Sequence, residues 1–289
     1  QKENFTIIGG GVSESPDQHV HIPLPHGFNI GAAGQPPTCR NSLHSHRTAE
    51  VFFVLSGRWR FFWGRWGTAG EVTLDPGDII NIPTGMFRGF ENIGTDYGMI
   101  MAILGGDDAG GGVIWAPQVI EDARDHGLIL AETGRLYDSH KGEQLPDGVA
   151  PMSLLTEQQL KLFPEPTTAE VVPNAVARYL DLMAFSDRAP AKVIGADALL
   201  ADRPGFEVDF LSRPSAQTQA AASDKDTVLM PATGHWRVSW ADGSVTLNPG
   251  DTASIPADIA YTLEPAMTGE AGSYRVVATD EPAGPTWRP

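Results

Sequence analysis

Two stretches of this chain are written almost twice. Gly57-Arg58-Trp59-Arg60-Phe61-Phe62-Trp63 and Gly234-His235-Trp236-Arg237-Val238-Ser239-Trp240 share the pattern GxWRxxW at an offset of 177 residues. Val72-Thr73-Leu74-Asp75-Pro76-Gly77-Asp78 and Val245-Thr246-Leu247-Asn248-Pro249-Gly250-Asp251 share VTL[DN]PGD at an offset of 173, and Ile-Pro follows each. The two offsets differ because one hairpin is longer in the first copy, around Arg65 to Gly70. A chain with such a repeat must build one structural unit twice.

The unit reads as β. From Glu50 to Leu104, apolar runs (VFFVLSG, WRFFWG, EVTLDPGD, IINIPTG, FRGFENIG, YGMIMAIL) alternate with turn residues, and 234 to 279 repeats the theme. Short strands punctuated in this way predict antiparallel sandwiches or barrels. The 32 Gly and 23 Pro of the 289 residues argue in the same direction, because helix bundles tolerate neither well. Between the copies the pattern turns helical. Pro117 to His126, stopped by Gly127, has Pro in the first turn and Gly at the end; Thr156 to Phe163 has a Thr cap and Pro164 as a stop. A third helix is predicted near Ala175 to Phe185.

Charge and cysteine content exclude several classes of function. A formal charge of -16 repels nucleic-acid backbones and anionic membrane surfaces, so neither is expected as a partner. Cys39 is the single cysteine, which excludes an internal disulfide framework and any multi-thiolate zinc site. The polar start QKENFTIIGGG has no signal-peptide character, and no apolar run is long enough for a helical span. Cytoplasmic residence is therefore the expectation.

His44-Ser45-His46 puts two imidazoles on one face of a strand, because side chains two apart point the same way. A turn after His46 would let Glu50, on the next strand, face the same interior. Two neutral imidazoles and a carboxylate suit one divalent transition metal, Fe, Mn, Ni or Zn, with positions left open for a small-molecule substrate. The segment resembles the first motif of the cupin superfamily, with His44, His46, Glu50 and Gly57 in register, and the second motif follows at Gly77, Pro83, Gly85 and Asn92. Arg88 stands where the resemblance implies a fourth ligand, a histidine.

Two copies imply an all-β bicupin: two jelly-roll-like cupin barrels with a few short connecting helices. The expected division is residues 1–116 for a metal-binding barrel, 117–190 for a connector and 191–289 for a degenerate barrel. The repeat offsets put Ala221, Ser223 and Thr227 at the second barrel's ligand positions and Tyr261 at the fourth, so that barrel should bind no metal. Tyr261 could still donate a hydrogen bond into a residual pocket. Cupin barrels commonly pair through their sheets, which implies contact within the chain and is compatible with a homodimer.

Arg88 has two readings: it neutralises Glu50 when no metal is present, or it grips a substrate carboxylate or enolate beside the metal, and the intact triad favours the second. Phe52, Trp59, Phe61 and Phe90 are candidates for the pocket wall, although aromatic barrel core is the commoner use of such residues. His19, His21 and His26 lack a carboxylate at useful spacing, and His126 and His140 read as surface residues. Gly9-Gly10-Gly11 and Gly110-Gly111-Gly112 lack P-loop context, and no GxSxG supports a serine hydrolase. Within the family's range, the expectation is a metal-dependent dioxygenase-type enzyme acting on a small hydrophobic or aromatic carbonyl or phenol, with Arg88 and Glu50 as catalytic groups. A Lewis-acid isomerase or lyase, and a non-catalytic binding bicupin, are the alternatives.

Overall fold

The computed structural model describes residues 2–10, 19–106, 113–200 and 205–280. Gly11 and the Gly110–Gly112 cluster lie outside the described residues. The chain is mostly β and forms the expected pair of units, each made of two facing sheets rather than one closed sheet. In the first unit the larger sheet runs, in spatial order, Val176–Ala177, Ile79–Ile82, Glu50–Ser56, Gly98–Gly105, Phe28–Gln35, Glu3–Ile8 and Val20–Ile22. All neighbours are antiparallel except the last pair. The smaller sheet runs Val113–Trp115, His44–His46, Arg88–Asn92, Trp59–Trp63 and Gly70–Leu74.

The second unit repeats this order with Ala253–Ile255, Thr227–Thr233, Gly272–Ala278, Phe206–Ser212 and Ala191–Ile194 in one sheet, and Gln217–Ala221, Tyr261–Pro265, Trp236–Trp240 and Gly243–Leu247 in the other. The register repeats too. Glu50 lies opposite Ile82 and Thr227 opposite Ile255, while His44 lies opposite Arg88 and Ala221 opposite Tyr261.

The duplicated motifs do duplicated structural work. Trp59 and Trp236 are fully buried, and their indole N–H groups donate to the carbonyls three residues earlier, Ser56 O and Thr233 O, at 2.9 and 3.1 Å. In each PGD turn the Asp carboxylate accepts the N–H of the residue three before it, Asp75 or Asn248. Gly77 and Gly250 take φ of 87° and 94°, which an L side chain resists.

Strand alternation sorts side chains into two cores. Along Glu50–Ser56, Val51 and Phe53 face the second unit while Phe52 and Val54 face the interior of their own. The larger sheets of the two units thus pack on each other through Phe28, Val51, Phe53 and Ile103 on one side and Val208, Phe210, Val228 and Val276 on the other. Phe53 and Tyr274 rings lie 4.7 Å apart, and the Tyr274 hydroxyl donates to Gly77 O at 2.6 Å. Removing residues 191–289 strips this face bare, so a fragment ending near residue 190 is expected to aggregate. The soluble fraction after expression measures this; a soluble, fully active fragment would contradict it.

The connector departs from expectation in two places. The helix Pro117–Asp125 ends as anticipated, with Gly127 at φ 75°, and Thr156 forms a capping box with Gln159, although that helix is only Glu157–Leu160. The helix expected near Ala175 to Phe185 is instead two, Thr168–Ala175 and Tyr179–Phe185. Between them Val176–Ala177 extends and pairs with Ile79–Ile82. The open ladder of a sheet edge, together with β-branched Val176, outweighs local helix propensity there. The connector also packs on the first barrel: Leu160 and Phe163 cover Leu43, Phe62 and Phe87 on the outer face of the smaller sheet.

Candidate metal centre

His44 and His46 flank the buried Ser45 on their short strand, so both imidazoles point to one side while the serine points to the other. The turn at 47–49 carries the chain into the opposite sheet, where Glu50 shares its face with Phe52 and Val54. The sequence expectation of a triad built from two strands is the geometry observed. One ligand atom from each of His44, His46 and Glu50 can be chosen so that all three lie within 4.8 Å of one another. His46 Nε2 is 3.6 Å from Glu50 Oε1, and the two rings meet edge to face at 5.2 Å.

The local electrostatics leave both imidazoles neutral. Burial, with the Arg88 charge second, lowers the His44 pKa to about 3 and holds His46 well below the usual histidine range. His44 Nδ1 lies 2.8 Å from Ser42 O. A neutral ring there donates from Nδ1, which leaves the Nε2 lone pair free. Burial raises the Glu50 pKa, opposed by the charge and hydrogen bond of Arg88.

Arg88, directly across the strand pair from His44, is 1% exposed and ion-paired through Nη2 with Glu50 Oε2. Its Nη1 donates to His44 O at 3.0 Å. It therefore holds one carboxylate oxygen and leaves Oε1 toward His46. Two neutral imidazole nitrogens and one carboxylate oxygen, all convergent, form a donor set that fits a divalent transition metal.

A cavity of about 440 Å³ opens in front of the triad, lined by His44, His46, Glu50, Phe52, Phe90 and Leu104 among others. Of the side chains expected to wall it, Phe52 and Phe90 do so. Trp59 and Phe61 do not: both are fully buried, packed behind Phe90 at ring separations of 5.9 and 5.8 Å. The strand face expected to present them is correct, but it lies deeper between the sheets than the cavity reaches. Arg88 is likewise absent from the lining, because Glu50 and the His44 carbonyl draw its guanidinium inward.

The far side of the cavity is not legible in the sequence. Leu128, Leu136, Asp138 and Lys141 line it from the hairpin Leu128–Leu130/Leu136–Asp138 and the turn beyond. The apolar runs around Gly134 mark a hairpin, yet nothing local in the sequence says which barrel it covers. His19 and His21 contact each other, and His26 Nε2 lies 2.7 Å from Ser254 Oγ across the two units; none joins a cluster of metal-ligating groups among the described residues. Asn92 of the second motif is structural: its side chain bonds Gln35 O, Asp96 O and Gly94 N. No helix among the described residues is long and apolar enough to cross a membrane.

Residues 34–104 match the family described as Cupin domain. No curated protein matches the chain. Among solved structures, it is similar to oxalate decarboxylase from Bacillus subtilis, with 14% identity, a TM-score of 0.54, and coverage of 91% of this chain and 71% of that one. The formate complex of Lactobacillus farciminis oxalate decarboxylase gives 13% identity, a TM-score of 0.54, and coverage of 91% and 80%.

Proposed function

From a chain that belongs to the cupin superfamily and builds its barrel twice, we infer that the first barrel is a metal-dependent enzyme site. It takes one divalent transition metal, Fe, Mn, Ni or Zn, on His44, His46 and Glu50. Its reaction is of the dioxygenase type, on a small hydrophobic or aromatic substrate bearing a carbonyl or phenol. The observation that carries this reading is the donor set. The fourth family position is held by Arg88, which is turned onto Glu50, so two histidines and one carboxylate remain facing a cavity. That set with open positions is the one non-haem Fe(II) oxygenases use. When bound, the metal supplies Lewis acidity and a meeting point for substrate and dioxygen.

The chain's own groups prepare the site. The Ser42 carbonyl orients the His44 ring, and Arg88 fixes the Glu50 carboxylate and balances its charge. Phe52 and Phe90 offer apolar faces to a ring, while Leu104, Val113 and Leu128 restrict water around it. Likeness to oxalate decarboxylases supports the fold and keeps one second reading in view, carbon–carbon lyase chemistry with the metal as Lewis acid and no oxygen consumed.

Oxygen-electrode assays of the Fe-, Mn- and Ni-loaded protein with flavonols, catechols, β-diketones and hydroxy-aromatic acids separate the readings. The expected result is oxygen uptake matched to substrate loss. Turnover unchanged under strict anoxia would give the lyase or isomerase reading instead, and tight substrate binding with no turnover would make the barrel a binding module.

A further inference from the structure

The second barrel has Ala221, Ser223 and Thr227 where a triad would stand, but apolar filling has not replaced it. A cavity of about 300 Å³ remains, lined by Asp209, Gln217, Ser223, Thr227, Tyr261 and Arg275 among others. The repeat shows what changed. In the first barrel the strands Phe28–Gln35 and Gly98–Gly105 put Gly31 opposite Ala102, and both line its cavity. At the corresponding place the second barrel puts Asp209 opposite Arg275. Charge has left the motif strand and appeared on two others, where the first barrel has its smallest side chains.

These groups form a fixed constellation. Arg275 Nη2 and Nε donate to Asp209 Oδ2 at 2.6 and 3.2 Å, and Nη1 donates to Gln217 Oε1 at 3.2 Å. Gln217 Nε2 donates in turn to Tyr261 O at 2.6 Å. Burial raises the Tyr261 pKa, opposed by the nearby Arg275 charge, so the phenol stays protonated. The Arg275 and Asp209 side chains are only 20% and 25% exposed. An ion pair so far withdrawn from water stabilises a fold little compared with apolar packing, so packing alone does not account for it.

The chemistry narrows the ligand. Arg275 cancels Asp209, and Glu207 at the same cavity adds a further acceptor, so an anion meets carboxylates and a cation meets the guanidinium. A neutral molecule whose hydroxyls both donate and accept matches this mixture of carboxylate, amide, phenol and guanidinium. The volume lies at the small end of ligand sites. We propose that the second barrel is a metal-free binding site for a neutral, hydroxyl-rich molecule of monosaccharide size, held by Asp209, Gln217, Tyr261 and Arg275.

Saturation-transfer NMR on the full chain with myo-inositol, D-glucose and D-xylose, in chelator, tests this, with acetate and ethylamine as charged competitors. At least one of the three should bind saturably with Kd below ~10 mM. Gln217→Ala and Tyr261→Phe should each weaken binding about tenfold, whereas His44→Ala should leave it unchanged. Both test residues are trimmed rather than enlarged, and circular dichroism verifies that each variant is folded. Absence of saturable binding by all three, binding indifferent to both substitutions, displacement by acetate or ethylamine at equal concentration, or loss in His44→Ala would each overturn the proposal.

Discussion

Replacing Arg88 with alanine is expected to destabilise the metal-free protein by about 3–5 kcal/mol, because it strands a buried carboxylate without its partner. The Arg88 side chain is 2% exposed and that of Glu50 6%, so water cannot take over the lost interaction. For a chain of this size the loss corresponds to a fall in Tm of roughly 5–8 °C, readable by calorimetry. The same substitution removes the positive charge beside the triad. A divalent metal should then bind more tightly, by about tenfold or more, and saturating metal should restore much of the lost stability. Arg88→His adds a test of a different kind, since it supplies the fourth ligand that the cupin resemblance implies and should tighten metal binding in the same direction. An Arg88→Ala variant as stable as wild type without metal would show that the pairing with Glu50 carries little of the site's organisation.

The second large effect is expected at His44. His44→Ala removes one of three donors and should cost at least about 100-fold in metal affinity, more than is usual for the loss of a group behind a ligand. Because His44 is a short side chain at the cavity wall rather than part of either main core, the fold should survive, with Tm of the metal-free variant within a few degrees of wild type. Retention of metal content near the wild-type level in this variant would remove His44 from the ligand set.

How much of this was readable in the residues follows from which interactions are local. The repeat of GxWRxxW and VTL[DN]PGD announced the duplicated barrel, because turn chemistry and strand alternation act within a few residues. The triad was legible for the same reason: His44 and His46 share a face by strand periodicity, and one turn brings Glu50 to meet them. Arg88 was legible as the odd residue in the second motif, but its partner was a matter of tertiary geometry, and the structure shows it bonded to Glu50 and the His44 carbonyl. Depth was not legible at all. Trp59, Phe61, Phe52 and Phe90 follow similar alternation, yet only the last two reach the cavity. Nor could local pattern foresee that Val176–Ala177 would leave a helical stretch to close a sheet edge, or that the connector hairpin would wall the site. The polar interior of the second barrel was hidden because Asp209 and Arg275 lie on strands outside the repeated motifs and meet only through pairing.

The most direct measurement of the central claim is an anomalous-scattering map from crystals of the full chain grown after loading with Fe, Mn, Ni or Zn, recorded across the absorption edge of the metal used. One strong site per chain is expected in contact with His44, His46 and Glu50, and none in the second barrel beside Ala221, Ser223 and Thr227. No peak at the triad with any of the four metals, or a peak of equal strength in the second barrel, would contradict that claim.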